Sequence, residues 1–599
     1  MASLDWQRLK RLGPYLGQDR NRLLFALLLL IPLALAAAVQ PLLVGQAIAV
    51  LRHETPLIPF LAGMAVPVAL RWLVLLLLAA VLLRLALQGT QIFNVQVVGQ
   101  RLTARIRADL FRHALALSLR FHDRTPVGKL LTRLTSDVDA LAEVFASGAI
   151  GVLADLVTLL VIALTMLSIE WRLGALLLLV QLPVTAGILW LQKRYRRANY
   201  RVREELGQLN ADLQENLQGL DVVQMFRRER RNSDRFAETT GHYRQAVTGT
   251  ILYDSAISAF IEWVALAAVA VVLAMGGWMV TAGTMGLGTL TTFILFSQRL
   301  FDPLRQLAER FTQIQGGLTA VERIGELLEQ PVEIRDRPQA SPMAEAMTSL
   351  GGHTPGSVVF ENVSFAYRPD DPILTDLSFR IAPGEHVALV GPTGSGKSTI
   401  IRLLCRLYEP QQGRILLDGV DIRELPQALL RQRLGVVLQD TFLFSGNVAD
   451  NLRLDASISD AELLRLSQEL GLQPLLARLP GGLGCELRER GANLSSGERQ
   501  LLAVARVAIR DPSVLVMDEA TAFLDPSTEA TLQRDLDTLL QGRTAIVIAH
   551  RLATVEAADR ILVLQRGRLI EEGSHQQLRA AGGLYARLAL LQERGLASL

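Results

Sequence analysis

The first half of this chain carries six apolar runs, each about as long as a helix must be to cross a hydrocarbon core. They lie at roughly 23–48, 69–94, 145–168, 173–192, 254–275 and 285–305, and the second half has nothing comparable. One such run alone could be a buried globular helix; six in series predict a membrane domain. Pro32 and Pro41 inside the first run are tolerable, because neighbouring helices can satisfy the backbone groups a proline frees. The 50% hydrophobic content over 599 residues agrees with this reading, and so does the positive mean hydropathy of +0.29. A chain of this length needs more than one core.

The links between the runs orient them. Three are short and poor in basic residues, around 51–56, 170–172 and 276–286. Two are long and rich in arginine: the first carries Arg101, Arg105, Arg107 and Arg112, the second Arg194, Arg196, Arg197 and Arg201. Basic links face the cytoplasm, so the long links and both termini are expected there. These links have few helix breakers and read as membrane helices continuing into the cytosol. Their turns, near 120–129 and 215–226, are expected to meet another domain. Arg84, Asp155 and Glu262 fall in or beside spans. Charges at such depth face a cavity or a partner, and both readings stand open. The first 22 residues lack the apolar core and cleavage site of a signal peptide and read as an amphipathic segment at the membrane surface.

Cys405 and Cys485 are the only cysteines, too few for a disulfide framework or a zinc site. The net charge of +3 argues for no nucleic-acid partner. From about 328 to 356 the chain turns polar and rich in Pro, Gly and Ser, which predicts a linker. Beyond it, strand-like and helix-like runs alternate, the pattern of an α/β domain. The expected organisation is a six-span α-helical transmembrane domain over 1–327, a linker over 328–356 and an α/β P-loop ATPase domain over 357–599.

Within that last domain, Gly391, Pro392, Thr393, Gly394, Ser395, Gly396, Lys397 and Ser398 match G-x-x-x-x-G-K-[ST], followed by Thr399. The motif sits between a strand-like HVALV and a helix-like STIIRLLCRL. Glycines let backbone N–H groups curl around phosphate oxygens, and the helix N-terminus adds partial positive charge. Lys397 is expected to reach the β- and γ-phosphates of ATP, and Ser398 to ligate Mg²⁺. Further on, the apolar VLVM ends in Asp518 and Glu519. Neighbouring side chains of a strand face opposite ways, so Asp518 can hold the Mg²⁺ shell while Glu519 acts as general base on the attacking water.

Taken together, these motifs resemble the ATP-binding-cassette exporters in which six spans are fused to one nucleotide-binding domain. The resemblance runs from about residue 20 to 599 and extends to further motifs in family order. Ser495, Ser496, Gly497 and Glu498 resemble the signature sequence. Gln439 resembles the glutamine that contacts Mg²⁺ and relays to the membrane domain. Tyr367 resembles the aromatic that stacks on adenine, His550 the switch histidine at the γ-phosphate, and Asp525 the aspartate of the D-loop. Glu489-Arg490-Gly491 resembles the exporter X-loop. Three departures stand out: Ser496 replaces a glycine, Glu498 a glutamine, and Phe523 a small residue. The resemblance implies an obligate dimer in which the signature of one copy covers ATP held by the other. Intact motifs suit a homodimer or the active half of a heterodimer, with the homodimer favoured. It implies ATP-driven export across a lipid bilayer, and the apolar spans suit an amphipathic or hydrophobic substrate, lipid-like or multidrug. An ATP-gated channel on the same scaffold is the alternative. Fusion of spans to cassette argues against an importer or a soluble ATPase, and the short segment before the first span against a protease-fused exporter. The short tails and absence of a targeting segment suggest a bacterial inner membrane.

Overall fold

A computed structural model of the chain describes residues 15, 17–55, 57–61, 63–336, 356–439, 441–454, 456, 458–518, 540–549 and 552–593. It divides into two compact units: Met1–Leu115 with Val127–Gln330, and Ala116–Pro126 with Pro331–Leu599. The linker expected over 328–356 lies mostly outside the described residues.

The first unit is built of long helices. They are α1 (Arg20–Leu28), α2 (Leu30–Leu51), α3 (Val66–Ala116), α4 (Ile150–Ile169), α5 (Trp171–Gln218), α6 (Glu229–Thr281) and α7 (Leu287–Leu328). Among the described residues, five helical stretches are long and apolar enough to cross a membrane. They correspond to the first five expected spans. The sixth run forms the start of α7 and is less apolar, because Gln298 and Arg299 interrupt it. Helices α3, α5 and α6 run 51, 48 and 53 residues, well beyond the ~20 needed for a span.

Prolines and glycines decide how α1, α2 and α7 are joined. Pro32 cannot donate to the Leu28 carbonyl and its ring crowds that turn, so the helix breaks at Leu29 between α1 and α2. Pro41 likewise leaves the Ala37 carbonyl without its helical donor; Arg299 supplies one from α7, Nη1 to Ala37 O at 2.7 Å. At Gly45 a Cβ would run into Thr292 Oγ1 and lie 2.5 Å from Gly288 O, so α2 and α7 touch backbone to backbone. Glu54 then caps α7, accepting from Leu287 N and Gly288 N at 2.8 and 3.1 Å. Leu173 and Leu177 of α5, Val272 of α6 and Phe293 and Phe296 of α7 are fully buried in one shared core.

The second unit holds three sheets. An antiparallel one has the order β2 (Asp371–Ile381), β1 (Val358–Arg368), β4 (Gln412–Leu417), β5 (Val420–Asp421). The central sheet has the order β12 (Arg568–Gly573), β11 (Arg560–Gln565), β3 (His386–Val390), β10 (Thr544–Ile548), β9 (Val514–Asp518), β6 (Leu434–Val437). Its strands are parallel except the edge strand β12. HVALV and VLVM are apolar without alternation because both faces of the sheet are covered. The third sheet is the short pair β7 (Gly446–Asn447) and β8 (Glu486–Leu487). Both cysteines are free and buried; burial pushes the Cys405 thiol up to about 12, which keeps it unreactive.

This unit also claims a short helix from the first long link, α8 (Leu119–Arg124). It sits at the turn expected near 120–129. A second short helix, Leu220–Met225, forms at the other expected turn.

Candidate nucleotide site

Strand β3 delivers the phosphate loop, and α9 (Lys397–Leu404) begins where it ends. Gly394 has φ +80° with open space where a Cβ would be; Gly396 has φ +103°, and its Cβ would lie 2.6 Å from Leu374 Cδ2. Both positions therefore require glycine. The Lys397 side chain is buried, and its Nζ donates to Gly391 O at 2.7 Å and Pro392 O at 3.0 Å. These bonds hold the ammonium inside the curl of the loop. Ser395 Oγ is buried there with no hydrogen-bond partner among the described residues, an uncompensated polar atom in a loop shaped for an anion.

Strand β9 runs two places from β3 with β10 between them, and it brings Asp518 to the start of α9. Ser398 Oγ donates to Asp518 Oδ2 at 3.3 Å. A hydroxyl and a carboxylate facing each other at that distance are the hard oxygen donors a Mg²⁺ ion takes, so the residues fit the cation expected from the sequence. Strand β6 pairs with β9 with Val437 opposite Met517; Gln439, two residues on, is exposed beside the end carrying Asp518.

Tyr367 lies at the end of β1. Its hydroxyl is 3.2 Å from Thr399 Oγ1 and accepts from Arg402 at 3.3 Å, which ties the expected adenine platform to the phosphate-binding helix. The Arg402 guanidinium lies 5.8 Å from its ring centroid.

The signature residues start another helix, α10 (Ser496–Ala508), with Ser495 as N-cap. Ser495 Oγ accepts from Glu498 N at 3.2 Å, and Glu498 Oε2 accepts from Ser495 N at 2.8 Å. This is a capping box. Glu498 also pairs with Arg478 at 3.2 Å. The carboxylate that departs from the family pattern thus caps its own helix and is partly neutralised. With its oxygen accepting from the backbone, the Ser495 hydroxyl keeps its proton available to donate outward. Glu519, Asp525 and His550, and also Phe523, lie outside the described residues.

The sequence did not point to the partners of α8. Leu119 packs on the core of the second unit. The Tyr408 hydroxyl, on a side chain 2% exposed, donates to the Asp123 carboxylate. Arg124 donates to Tyr367 O at 2.8 Å, and the Tyr367 and Tyr408 rings meet edge to face at 5.2 Å. The turn of a membrane link therefore touches the strand that carries the expected adenine platform. The Asp123 carboxylate and burial together raise the Tyr408 hydroxyl pKa, burial contributing most. Only the polar, aromatic RFHDR string hinted at such contacts. Among the charges singled out near the spans, Arg84 donates to Gln40 Oε1 at 3.2 Å, Asp155 pairs with Arg310 at 3.2 Å, and Glu262 is exposed on α6.

Known proteins share both halves. The ABC transporter transmembrane region family matches residues 23–304 and the ABC transporter family matches 374–522. An uncharacterized ABC transporter ATP-binding protein of Bacillus subtilis (strain 168), YfiC, is 31% identical over 97% of this chain and 93% of its own length. A multidrug efflux ATP-binding/permease protein of Mycobacterium bovis is 36% identical over 96% of this chain and 46% of its own length, so this chain spans about half of it. The solved structure of a bacterial Atm1-family ABC exporter with ATP bound superposes with a TM-score of 0.74 at 30% identity, covering 96% of this chain and 98% of that one. With a helical unit of apolar spans and an α/β unit bearing a complete phosphate loop, the chain belongs to the ABC transporters and is an ATP-hydrolysing exporter half-transporter.

Proposed function

We propose that two copies of this chain form an exporter that moves an amphipathic substrate across a bacterial inner membrane, with ATP held between the two nucleotide-binding units. The observation that carries this is the pairing of Ser398 with Asp518 at 3.3 Å beside the buried Lys397 ammonium. Lys397 would neutralise the β- and γ-phosphates. Ser398, Asp518 and Gln439 would hold Mg²⁺, which supplies charge neutralisation on the phosphoryl oxygens. Tyr367 offers its ring to adenine. Glu519 acts as general base on the attacking water, with His550 at the γ-phosphate and Asp525 as the aspartate of the D-loop.

The capped α10 explains the need for two copies. A helix N-terminus presents N–H groups and partial positive charge to an anion, and Ser495, Ser496 and Gly497 stand at that end. In a head-to-tail pair, each signature would close over the ATP on its partner. Hydrolysis adds charge and loosens the pair, and α8, gripping Tyr408 and the Tyr367 backbone, passes the change to the long helix α3. The arginine-rich links and both termini lie in the cytoplasm in this arrangement.

The test is ATP turnover by the chain purified alone in lipid, beside Glu519→Gln. Turnover that the variant abolishes supports a competent homodimer with Glu519 as base. ATP binding without turnover by the wild-type chain points to a heterodimer instead. Turnover that survives the variant removes Glu519 from the role.

A further inference from the structure

Helix α9 carries the phosphate loop at one end, and its other end closes in a Schellman turn. Arg406 N donates to Leu403 O at 2.9 Å, and Leu407 N to Arg402 O at 3.0 Å. The left-handed position of such a turn is usually glycine, which has no Cβ to strain. Here it is Arg406, with φ +49°. Its side chain is buried, 3% exposed, a depth at which arginine is rare unless it is paired. An arginine in a glycine's place, with its charge buried, implies a task for the side chain.

That task is visible in its partners. Nε donates to Glu409 Oε1 at 3.0 Å and Nη1 to Leu425 O at 3.1 Å. Nη2 donates to Arg335 O at 3.1 Å, and the Asp336 carboxylate lies 3.9 Å from Nη1. Asp336 in turn accepts from Gln427 N at 3.0 Å. Arg335 and Asp336 stand seven and eight residues past the Leu328 end of α7, so Arg406 ties the segment that leaves α7. Two residues on, Tyr408 holds Asp123 of α8, and α8 starts three residues past the Ala116 end of α3. The segment arriving from α7 and the turn arriving from α3 are thus fastened to one loop, 405–409, at the far end of the phosphate-binding helix.

We propose that Arg406 is a positioning residue: with Tyr408 it makes loop 405–409 a junction that passes movement of the phosphate loop to α7 and α3 together. Helix α9 is eight residues long, about 12 Å, and joins Lys397 to this loop as one rigid piece. A shift of the phosphate loop on ATP binding carries the Schellman turn with it, and the hydrogen bonds of Arg406 and Tyr408 carry the two fastened segments. Arg406 serves the α7 branch and Tyr408 the α3 branch, so the two are separable by substitution. This rests on the exporter reading above and assigns the route by which its nucleotide site reaches the long helices.

The experiment uses the full chain in phosphatidylcholine liposomes and follows amide hydrogen exchange of 105–116 in α3 and 316–328 in α7, with and without ATP and Mg²⁺. Both segments should change exchange when ATP is added to the wild type. Arg406→Lys keeps the charge but loses the fork that reaches three acceptors. Its ATP-dependent change in 316–328 should fall about 5-fold, the scale of one hydrogen bond, while that in 105–116 stays within about twofold. Tyr408→Phe should show the reverse. Asp336→Ala removes an exposed acceptor of the same tie and leaves the buried arginine in place, so it tests the α7 branch without disturbing the core; it should act as Arg406→Lys does, more weakly. A merely structural Arg406 would raise exchange in 316–328 equally with and without ATP. That result would overturn the junction and leave the exporter standing. So would a wild type in which ATP changes neither segment, or an α7 response within about twofold of wild type in both Arg406→Lys and Asp336→Ala. The predicted pattern in vesicles that hydrolyse ATP but accumulate no amphiphile would instead keep the junction and remove the exporter reading.

Discussion

Replacing Tyr408 with Phe should release α8 from the nucleotide-binding unit without disturbing the core beneath it. The phenyl ring can keep the edge-to-face contacts with Phe365 at 5.5 Å and Tyr367 at 5.2 Å, so what is lost is the hydroxyl donated to Asp123. A hydrogen bond to a charged group contributes about 1.5–3 kcal/mol net. Asp123 is exposed, so its carboxylate recovers water when the hydroxyl goes, which selects the lower end, about 1.5 kcal/mol. That corresponds to roughly a 12-fold rise in the local opening of 116–126. Amide hydrogen exchange of this segment in the full chain reads it directly, since Phe121 N and Thr125 N are bonded within the turn at 3.0 and 3.3 Å. Asp123→Asn keeps an acceptor of lower charge and should raise exchange only about 2–5-fold. The double variant should do no more than Tyr408→Phe alone, because both changes remove one interaction. Exchange within twofold of wild type in Tyr408→Phe would refute the grip assigned to this pair.

Three further outcomes follow from other contacts. The raised Tyr408 pKa means the protonated hydroxyl is favoured in the folded chain; its stabilising share is complete below about pH 10 and lost as pH climbs past it. Thermal midpoints of wild type and Tyr408→Phe should therefore differ at pH 8 and draw together above pH 10. Glu498→Ala removes half of the capping box and should weaken the first turn of α10 by about 0.5–2 kcal/mol, whereas Glu498→Gln keeps an acceptor for Ser495 N; exchange rates of 495–499 in the two variants separate these effects. Gly45→Ala forces α2 and α7 apart at a cost of about 1–3 kcal/mol, and should lower the thermal-inactivation temperature in detergent, while Gly89→Ala, which meets nothing within 4 Å, should not.

The membrane half was readable because lipid demands length and apolarity together, and five of the runs keep both. α7 is the instructive case: its apolar run is diluted by Gln298 and Arg299, and Arg299 donates to the carbonyl that Pro41 frees on another helix. Such a debt between distant residues leaves no local trace. The phosphate loop was readable because its glycine positions are dictated by backbone geometry, and both Gly394 and Gly396 have the positive φ that the motif implies. Glu498 read as an unexplained charge until the capping box gave it a local task. The Asp123–Tyr408 and Arg124–Tyr367 contacts join positions over 240 residues apart, and no periodicity encodes a pairing of that kind. For Arg84 the sequence left a cavity and a partner both open, and only the packing of three helices sets it beside Arg299 on one glutamine oxygen.

The central claim is that ATP turnover drives substrate across the bilayer. The most direct measurement is accumulation of a fluorescent dodecyl amphiphile in sealed liposomes bearing the full chain, followed with ATP and Mg²⁺, with a non-hydrolysable ATP analogue, and with Lys397→Ala in place of wild type. The account predicts accumulation against a gradient that requires hydrolysis and vanishes in Lys397→Ala. Downhill movement or ion conductance that opens with the non-hydrolysable analogue and needs no turnover would contradict it, and would make the chain an ATP-gated pathway.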